Sequence, residues 1–103
     1  MNKRQLIVLC LFAAGGVMQA QQWPNTPVEA RPGARWWWLG SAVDEKNLTY
    51  NLEEYARTGM GAVEITPIYG VQGNDANEIQ FLSPRWMEML KHTQAEGKRT
   101  GIE

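Results

Sequence analysis

Cysteine is almost missing from this chain: Cys10 stands alone, inside an apolar run near the N-terminus. Small extracellular domains often rely on disulfides to supplement a limited core, and that device is excluded here. Also lacking is an apolar run long enough for a comfortable membrane span, which takes roughly 20 residues. The longest such run, Leu6 to Met18, is broken by Gly15-Gly16. Positive charge is not in excess either. The 103 residues hold ten Lys and Arg against eleven Asp and Glu, and without Lys3 and Arg4 the balance is eight against eleven. That balance argues against nucleic acid or an anionic membrane as a partner.

What is present at the N-terminus is a targeting pattern. Asn2-Lys3-Arg4 gives a basic start, the apolar run follows, and Gln19-Ala20-Gln21-Gln22 returns the chain to polarity. These are the parts of a secretory signal. Residues 1–20 are read as a signal peptide cleaved after Ala20, with Met18 larger than the residue usual two positions earlier. An uncleaved anchor is the alternative. Leu9 is not the small residue that precedes a lipidated cysteine, which rejects a lipoprotein reading of Cys10. The expected location is bacterial and exported, periplasmic or extracellular, with no stable membrane association after cleavage.

Residues 21–33 form a polar lead-in punctuated by Pro24, Pro27 and Pro32, read as an extended linker. Residues 34–103 carry strand and helix signals. Arg35-Trp36-Trp37-Trp38-Leu39, bounded by Gly33 and Gly40, predicts a strand buried on both faces. Asp44 is placed to cap a helix from Glu45 to about Thr58, with Leu48, Leu52, Tyr55 and Ala56 on one side and Gly59 at its end. Ala62 to Thr66 predicts a second strand stopped by Pro67. A loop rich in Gly, Asn and Asp runs from Ile68 to Leu82. Ser83-Pro84 then opens a second helix whose inner stripe is Trp86, Met89, Leu90 and Thr93. Gly97 weakens its end and Gly101 closes it.

Arg57-Thr58-Gly59 recurs as Arg99-Thr100-Gly101, each at a helix end leading into a strand start. The repeat has the period of one strand-helix unit and makes Ile102-Glu103 the start of a third strand. Strand, helix, strand, helix and strand-start imply parallel strands with right-handed crossovers. The fold class is therefore α/β: the first two strand-helix units of a (β/α)8 (TIM-type) barrel. A closed barrel needs roughly 250 residues, so the chain is read as truncated.

Several runs resemble a known family. Glu29-Ala30-Arg31-Pro32, Arg35-Trp36-Trp37-Trp38-Leu39-Gly40, Gly59-Met60-Gly61-Ala62-Val63-Glu64-Ile65 and Leu82-Ser83-Pro84-Arg85-Trp86-Met87 resemble the opening of the catalytic barrel in glycoside hydrolase family 106. Its best-known members are bacterial α-L-rhamnosidases. The resemblance covers roughly residues 28–103, and the tryptophan run is its most specific part. Many members carry histidine where this chain has Trp37, which points to a subgroup with a different substrate. The resemblance implies an inverting hydrolase using two carboxylates about 6.5–9.5 Å apart, with calcium helping to hold the sugar in the full-length enzyme. The family's catalytic glutamates lie well downstream. No catalytic residue and no metal ligand is therefore assigned within residues 1–103, and this piece alone is expected to be inactive.

Four residues are candidates for contact with a carbohydrate substrate: Trp37, Glu64, Thr66 and Tyr69. Alternation puts Trp37 on the opposite face from Trp36 and Trp38, whose simplest role is core packing. Glu64 is the one acid in an apolar strand and needs a partner. That partner is a sugar hydroxyl, a metal, or Arg35 on the neighbouring strand as a structural pair. Thr66 and Tyr69 stand at the end of the second strand, where barrel enzymes collect substrate contacts, and Ser41 holds the corresponding place after the first. The long loop raises Asn74 and Asp75 as well, against an ordinary solvated loop. Asp75-x-Asn77-Glu78 lacks most of a calcium-loop pattern. His92 reads as a surface histidine. Three readings follow: an exported glycoside hydrolase in part, a small exported module that holds glycan on its tryptophans without chemistry, or a signal-anchored interaction protein.

Overall fold

The computed structural model describes Asn2 and residues 22–103. Apart from Asn2, the signal-peptide reading and its cleavage point lie outside the described residues. The main elements are β1 (Gly33–Leu39), α1 (Glu45–Arg57), β2 (Ala62–Ile68) and α2 (Pro84–Thr100), with 3-10 turns at Val28–Ala30 and Asp75–Asn77. β1 and β2 pair in parallel, with Arg35 beside Glu64, Trp37 beside Thr66 and Leu39 beside Ile68. Among the described residues, no helix is long and apolar enough to cross a membrane.

The helix ends follow local chemistry. Asp44 is extended and its carboxylate accepts the Asn47 backbone N–H at 2.9 Å. That bond, reinforced by the Asn47 side chain, holds the Asp44 carboxyl below the usual carboxylate range. Ser83 does the same for Trp86 at 3.2 Å, with Pro84 next to it in the first turn. The repeated tripeptide marks one exit used twice. Arg57 pairs with Glu54 and Arg99 with Glu96, one turn back in each helix. Thr58 and Thr100 donate to carbonyls of the last turn, and Gly59 and Gly101 take positive φ. After the second exit the Ile102 N–H bonds to the Gly97 carbonyl. A Cβ on Gly97 would lie 2.9 Å from the Ile102 carbonyl oxygen, so a glycine inside the helix lets the chain double back.

Glu103 donates to the Gly61 carbonyl and accepts from the Val63 N–H, both at 2.8 Å. That is the bonding pattern of a parallel ladder on the edge of β2 away from β1. It also explains Pro67, which does not stop β2 as the sequence suggested. Ile68 accepts from Gly40 on the β1 side, so even-numbered β2 residues bond toward β1 and odd-numbered ones toward the Glu103 edge. Pro67 therefore removes no hydrogen bond to β1, and the strand continues to Ile68.

The two faces of the sheet differ. Trp36, Trp38 and Ile65 point to the helices, where Trp38, Leu48, Trp86 and Met89 form the core. Trp38 is 1% exposed and meets Trp36 and Trp86 edge-on, each at 5.9 Å. The opposite face, carrying Arg35, Trp37 and Leu39, is bare. Trp37 is 59% exposed, which corrects the expectation that β1 is buried on both faces. The reason is geometric: both helices lie on one side of a two-stranded sheet.

α1 and α2 run parallel. Arg85 holds both carboxylate oxygens of Glu45 at 2.9 and 3.0 Å near their starts, and Arg99 holds Glu53 at 2.6 Å near their ends. His92 sits between these pairs, its Nε2 3.0 Å from the Glu45 carbonyl and 2.8 Å from the Thr49 hydroxyl. It is a half-buried helix-to-helix contact and not the surface histidine its position suggested. The linker also differs from expectation. Its second half forms the turn at Val28–Ala30, Pro32 accepts the Gly61 N–H at 3.0 Å, and Gly33 already belongs to β1.

Candidate functional site

Parallel strands place their C-terminal ends, and the loops that follow, on one side of the sheet. Ligand sites in strand-helix proteins form there. Here that side is made by residues 40–44 after β1 and residues 69–83 after β2. These loops carry Asp44, Asp75 and Glu78 and no Lys, Arg or His.

Of the four candidates, Trp37, Glu64 and Thr66 share the bare face through the strand register, and Tyr69 follows β2 with 84% of its surface exposed. Trp37 and Thr66 are direct cross-strand neighbours. The Thr66 hydroxyl donates to the Glu64 carbonyl at 3.3 Å. Glu64 lies deeper, near the start of β2, with its carboxylate 3.3 Å from Arg35 Nε; the side chains are 66% and 61% exposed. The structure therefore brings Glu64 to the partner that a purely structural role requires, and sets both on the open face.

Ser41 does not join them. The chain turns out of the strand at Gly40 and Ser41, both with positive φ, so alternation stops before Ser41. Its side chain is buried, and its hydroxyl accepts the Trp86 indole N–H at 3.0 Å. Asn74 caps a short turn in which its amide oxygen accepts from Asn77 at 2.7 Å. Among the described residues no group of three or more His, Cys, Asp or Glu side chains is placed to hold a metal ion.

Glu78, named in the sequence only within an incomplete calcium-loop pattern, lies closer to the strand ends. Glu78 returns from the β2–α2 loop across Gly40 and Gly70. A Cβ on Gly70 would fall 1.4 Å from its Oε1, and one on Gly40 would fall 2.7 Å from its Cγ. The next residue, Ile79, donates its N–H to the Gly40 carbonyl at 3.0 Å and packs against the core. The available signal was a glycine just after each strand.

A cavity of about 690 Å³ lies elsewhere. Leu52, Val63, Ile65 and Ile102 line it along the Glu103 edge of β2. It is mostly apolar space beside an incompletely covered sheet, with Arg31, Thr93, Gln94, Lys98 and Glu103 also in its lining.

Residues 34–103 thus define an α/β unit with its candidate ligand surface at the strand ends. No family model matches the chain, and no solved structure matches it. In sequence it is similar to a Formosa agariphila protein named "Putative beta-glucuronidase", with 26% identity over 81 residues. The match takes in 77% of this chain and 7% of that relative, so the chain spans a small part of the relative's length. This distant similarity supports no assignment to family 106.

Proposed function

We propose that this chain supplies the opening strand-helix units of a (β/α)8 barrel in an exported bacterial glycoside hydrolase. The similarity to a protein named as a glucuronidase carries the hydrolase reading. The parallel order of β1, β2 and Glu103 is compatible with the barrel. The finer part, action on α-L-rhamnosides or related glycans, rests on the sequence motifs around Trp36–Trp38, Gly59–Ile65 and Leu82–Met87. In this reading Trp37, Thr66 and Tyr69 offer stacking and hydrogen-bonding surface to the sugar, with Glu64 behind them on Arg35. The catalytic carboxylates and any calcium ligands belong to residues outside this chain, which alone has no turnover.

The test uses the protein as its gene encodes it, including any frame beyond codon 103. Release of p-nitrophenol from p-nitrophenyl α-L-rhamnoside and p-nitrophenyl β-D-glucuronide is measured, and the anomer first formed is followed by NMR. Turnover of the rhamnoside with inversion is the expected result. Turnover of the glucuronide alone keeps the hydrolase and removes the sugar. Binding of glycan without hydrolysis of any substrate would favour the non-catalytic module. Mass measurement of exported protein checks cleavage after Ala20.

A further inference from the structure

We propose that the outer edge of β2 is a slot for one more parallel strand. Its occupant is the segment of the same polypeptide that runs on from Glu103, with apolar side chains at its first and third positions. The proposal makes the barrel reading specific at this edge and does not depend on the hydrolase chemistry.

The slot has a defined start, floor and end. At its start the Glu103 N–H bonds to the Gly61 carbonyl and the Val63 N–H to the Glu103 carbonyl, so direction and register are already set. The lead-in closes the groove beside that start. Pro32 accepts the Gly61 N–H, and a Cβ on Gly61 would lie 2.6 Å from the Val28 carbonyl oxygen. The floor is the cavity of about 690 Å³, with Leu52, Val63, Ile65 and Ile102 in its lining. The end is Pro67, which has no N–H to give. Between these limits the Val63 carbonyl, the Ile65 N–H and the Ile65 carbonyl face the edge, without a partner among the described residues.

These groups decide what fits. An added strand satisfies the unpaired backbone of an edge and sends alternate side chains into the groove beside it. The two Glu103 bonds set this residue beside Ala62 on the bare face, while Ile102 is buried on the helix face. Alternation then puts the first residue after Glu103 beside Val63 and the third beside Ile65, both over the cavity. The second residue takes the Val63 carbonyl and the Ile65 N–H. The fourth reaches the Ile65 carbonyl alone, and pairing stops level with Pro67. Two observations favour the chain's own continuation over a second copy. Glu103 already holds the first ladder position in the parallel direction, so a strand from elsewhere would have to begin against it. The match also takes in only 7% of the relative's length, and a protein of that length has chain to supply.

The experiment uses the protein as its gene encodes it, including any frame beyond codon 103, and follows hydrogen–deuterium exchange resolved to single amides. The frame is expected to continue with apolar residues at the first and third positions after Glu103. The Ile65 N–H should then exchange as slowly as the Val63 N–H, whose partner is Glu103. Val63→Asp, which sets a carboxylate under the added strand, should lower the melting temperature by about 5 °C or more. A stop directly after codon 103, or charged residues at both positions, overturns the proposal. So does an Ile65 N–H that exchanges about tenfold faster than that of Val63, or a Val63→Asp variant that melts with the wild type. Protection of Ile65 that disappears when dilution separates dimers identifies a second copy as the occupant and overturns it as well. Glycoside turnover is measured on the same sample, so failure of the hydrolase reading and failure of the strand slot are read independently.

Discussion

The two faces of the sheet are made from the same seven-residue strands, yet they have separate tasks. On the helix side Trp38 is buried with Leu48, Trp86 and Met89, and Trp36 and Ile65 are partly buried against them. On the other side Arg35, Trp37, Leu39, Glu64 and Thr66 stand without a covering layer among the described residues. Aromatic side chains therefore appear one position apart in β1 with opposite energetic meaning. Trp38 gains from burial in this unit, whereas Trp37 gains only when something else covers it. A tryptophan run is thus two half-patterns interleaved with period two.

The hardest test of that comparison removes everything outside the unit. Residues 21–103 made alone are expected to be poorly folded or aggregated, because among the described residues one sheet face and the outer edge of β1 are uncovered and only Glu103 pairs on the outer edge of β2. Cooperative thermal unfolding of a monomer would show that the bare face needs no cover. In the protein as encoded, Trp38→Ala should cost about 3–5 kcal/mol of stability, the usual range for emptying a tryptophan site in a core. Trp37→Ala should cost under about 1 kcal/mol and instead weaken glycan binding. Urea unfolding beside a binding assay separates the two, and equal stability losses would erase the distinction between faces.

Smaller effects sharpen it. Ser83→Ala removes the cap of α2 on the covered side and should cost about 1 kcal/mol without altering substrate kinetics. On the bare side, Glu64→Gln breaks an exposed pair with Arg35, and such pairs contribute about 0–1 kcal/mol. If Glu64 only anchors Arg35, the variant should turn over normally. If it touches the sugar, kcat/KM should fall at least tenfold, equivalent to about 1.4 kcal/mol of transition-state binding, with the melting temperature little changed.

Local chemistry was legible in the sequence. Asp44, Ser83-Pro84 and the two Arg-Thr-Gly exits act within a turn of themselves, so their meaning needs no knowledge of the rest of the chain. Strand and helix order followed, as did the opposite facing of Trp37 and its two neighbours. What failed depended on contacts across distance. Hydrophobicity marked β1 as buried twice, but burial depends on how many layers the surrounding chain provides. Ser41 looked open to substrate because it stands just after β1, but two residues of positive φ turn it into the core. Pro67 read as a stop because its bonding edge was unknown. The approach of Glu78 to the strand ends was not legible because it brings residues 40, 70 and 78 together. The sugar was not legible in residues 34–103 at all, since the motifs resemble one family and the distant relative is named for another sugar.

The aromatic chain has an optical consequence. Tyr55, Trp36, Trp38, Trp86 and Phe81 form consecutive edge-to-face contacts at 4.9–5.9 Å. Indoles held this close and rigidly couple their electronic transitions, which gives a near-ultraviolet circular dichroism signal that vanishes when the core loosens. Trp23 and Trp37 stand outside that chain and are exposed, so they emit at longer wavelength and are open to acrylamide quenching; Trp23→Phe leaves Trp37 as the emission reporter of the open face. One sample thus carries two reporters, one read by polarised absorption for the core and one read by emission for the open face. A sugar stacked on Trp37 would shift the second and leave the first unchanged.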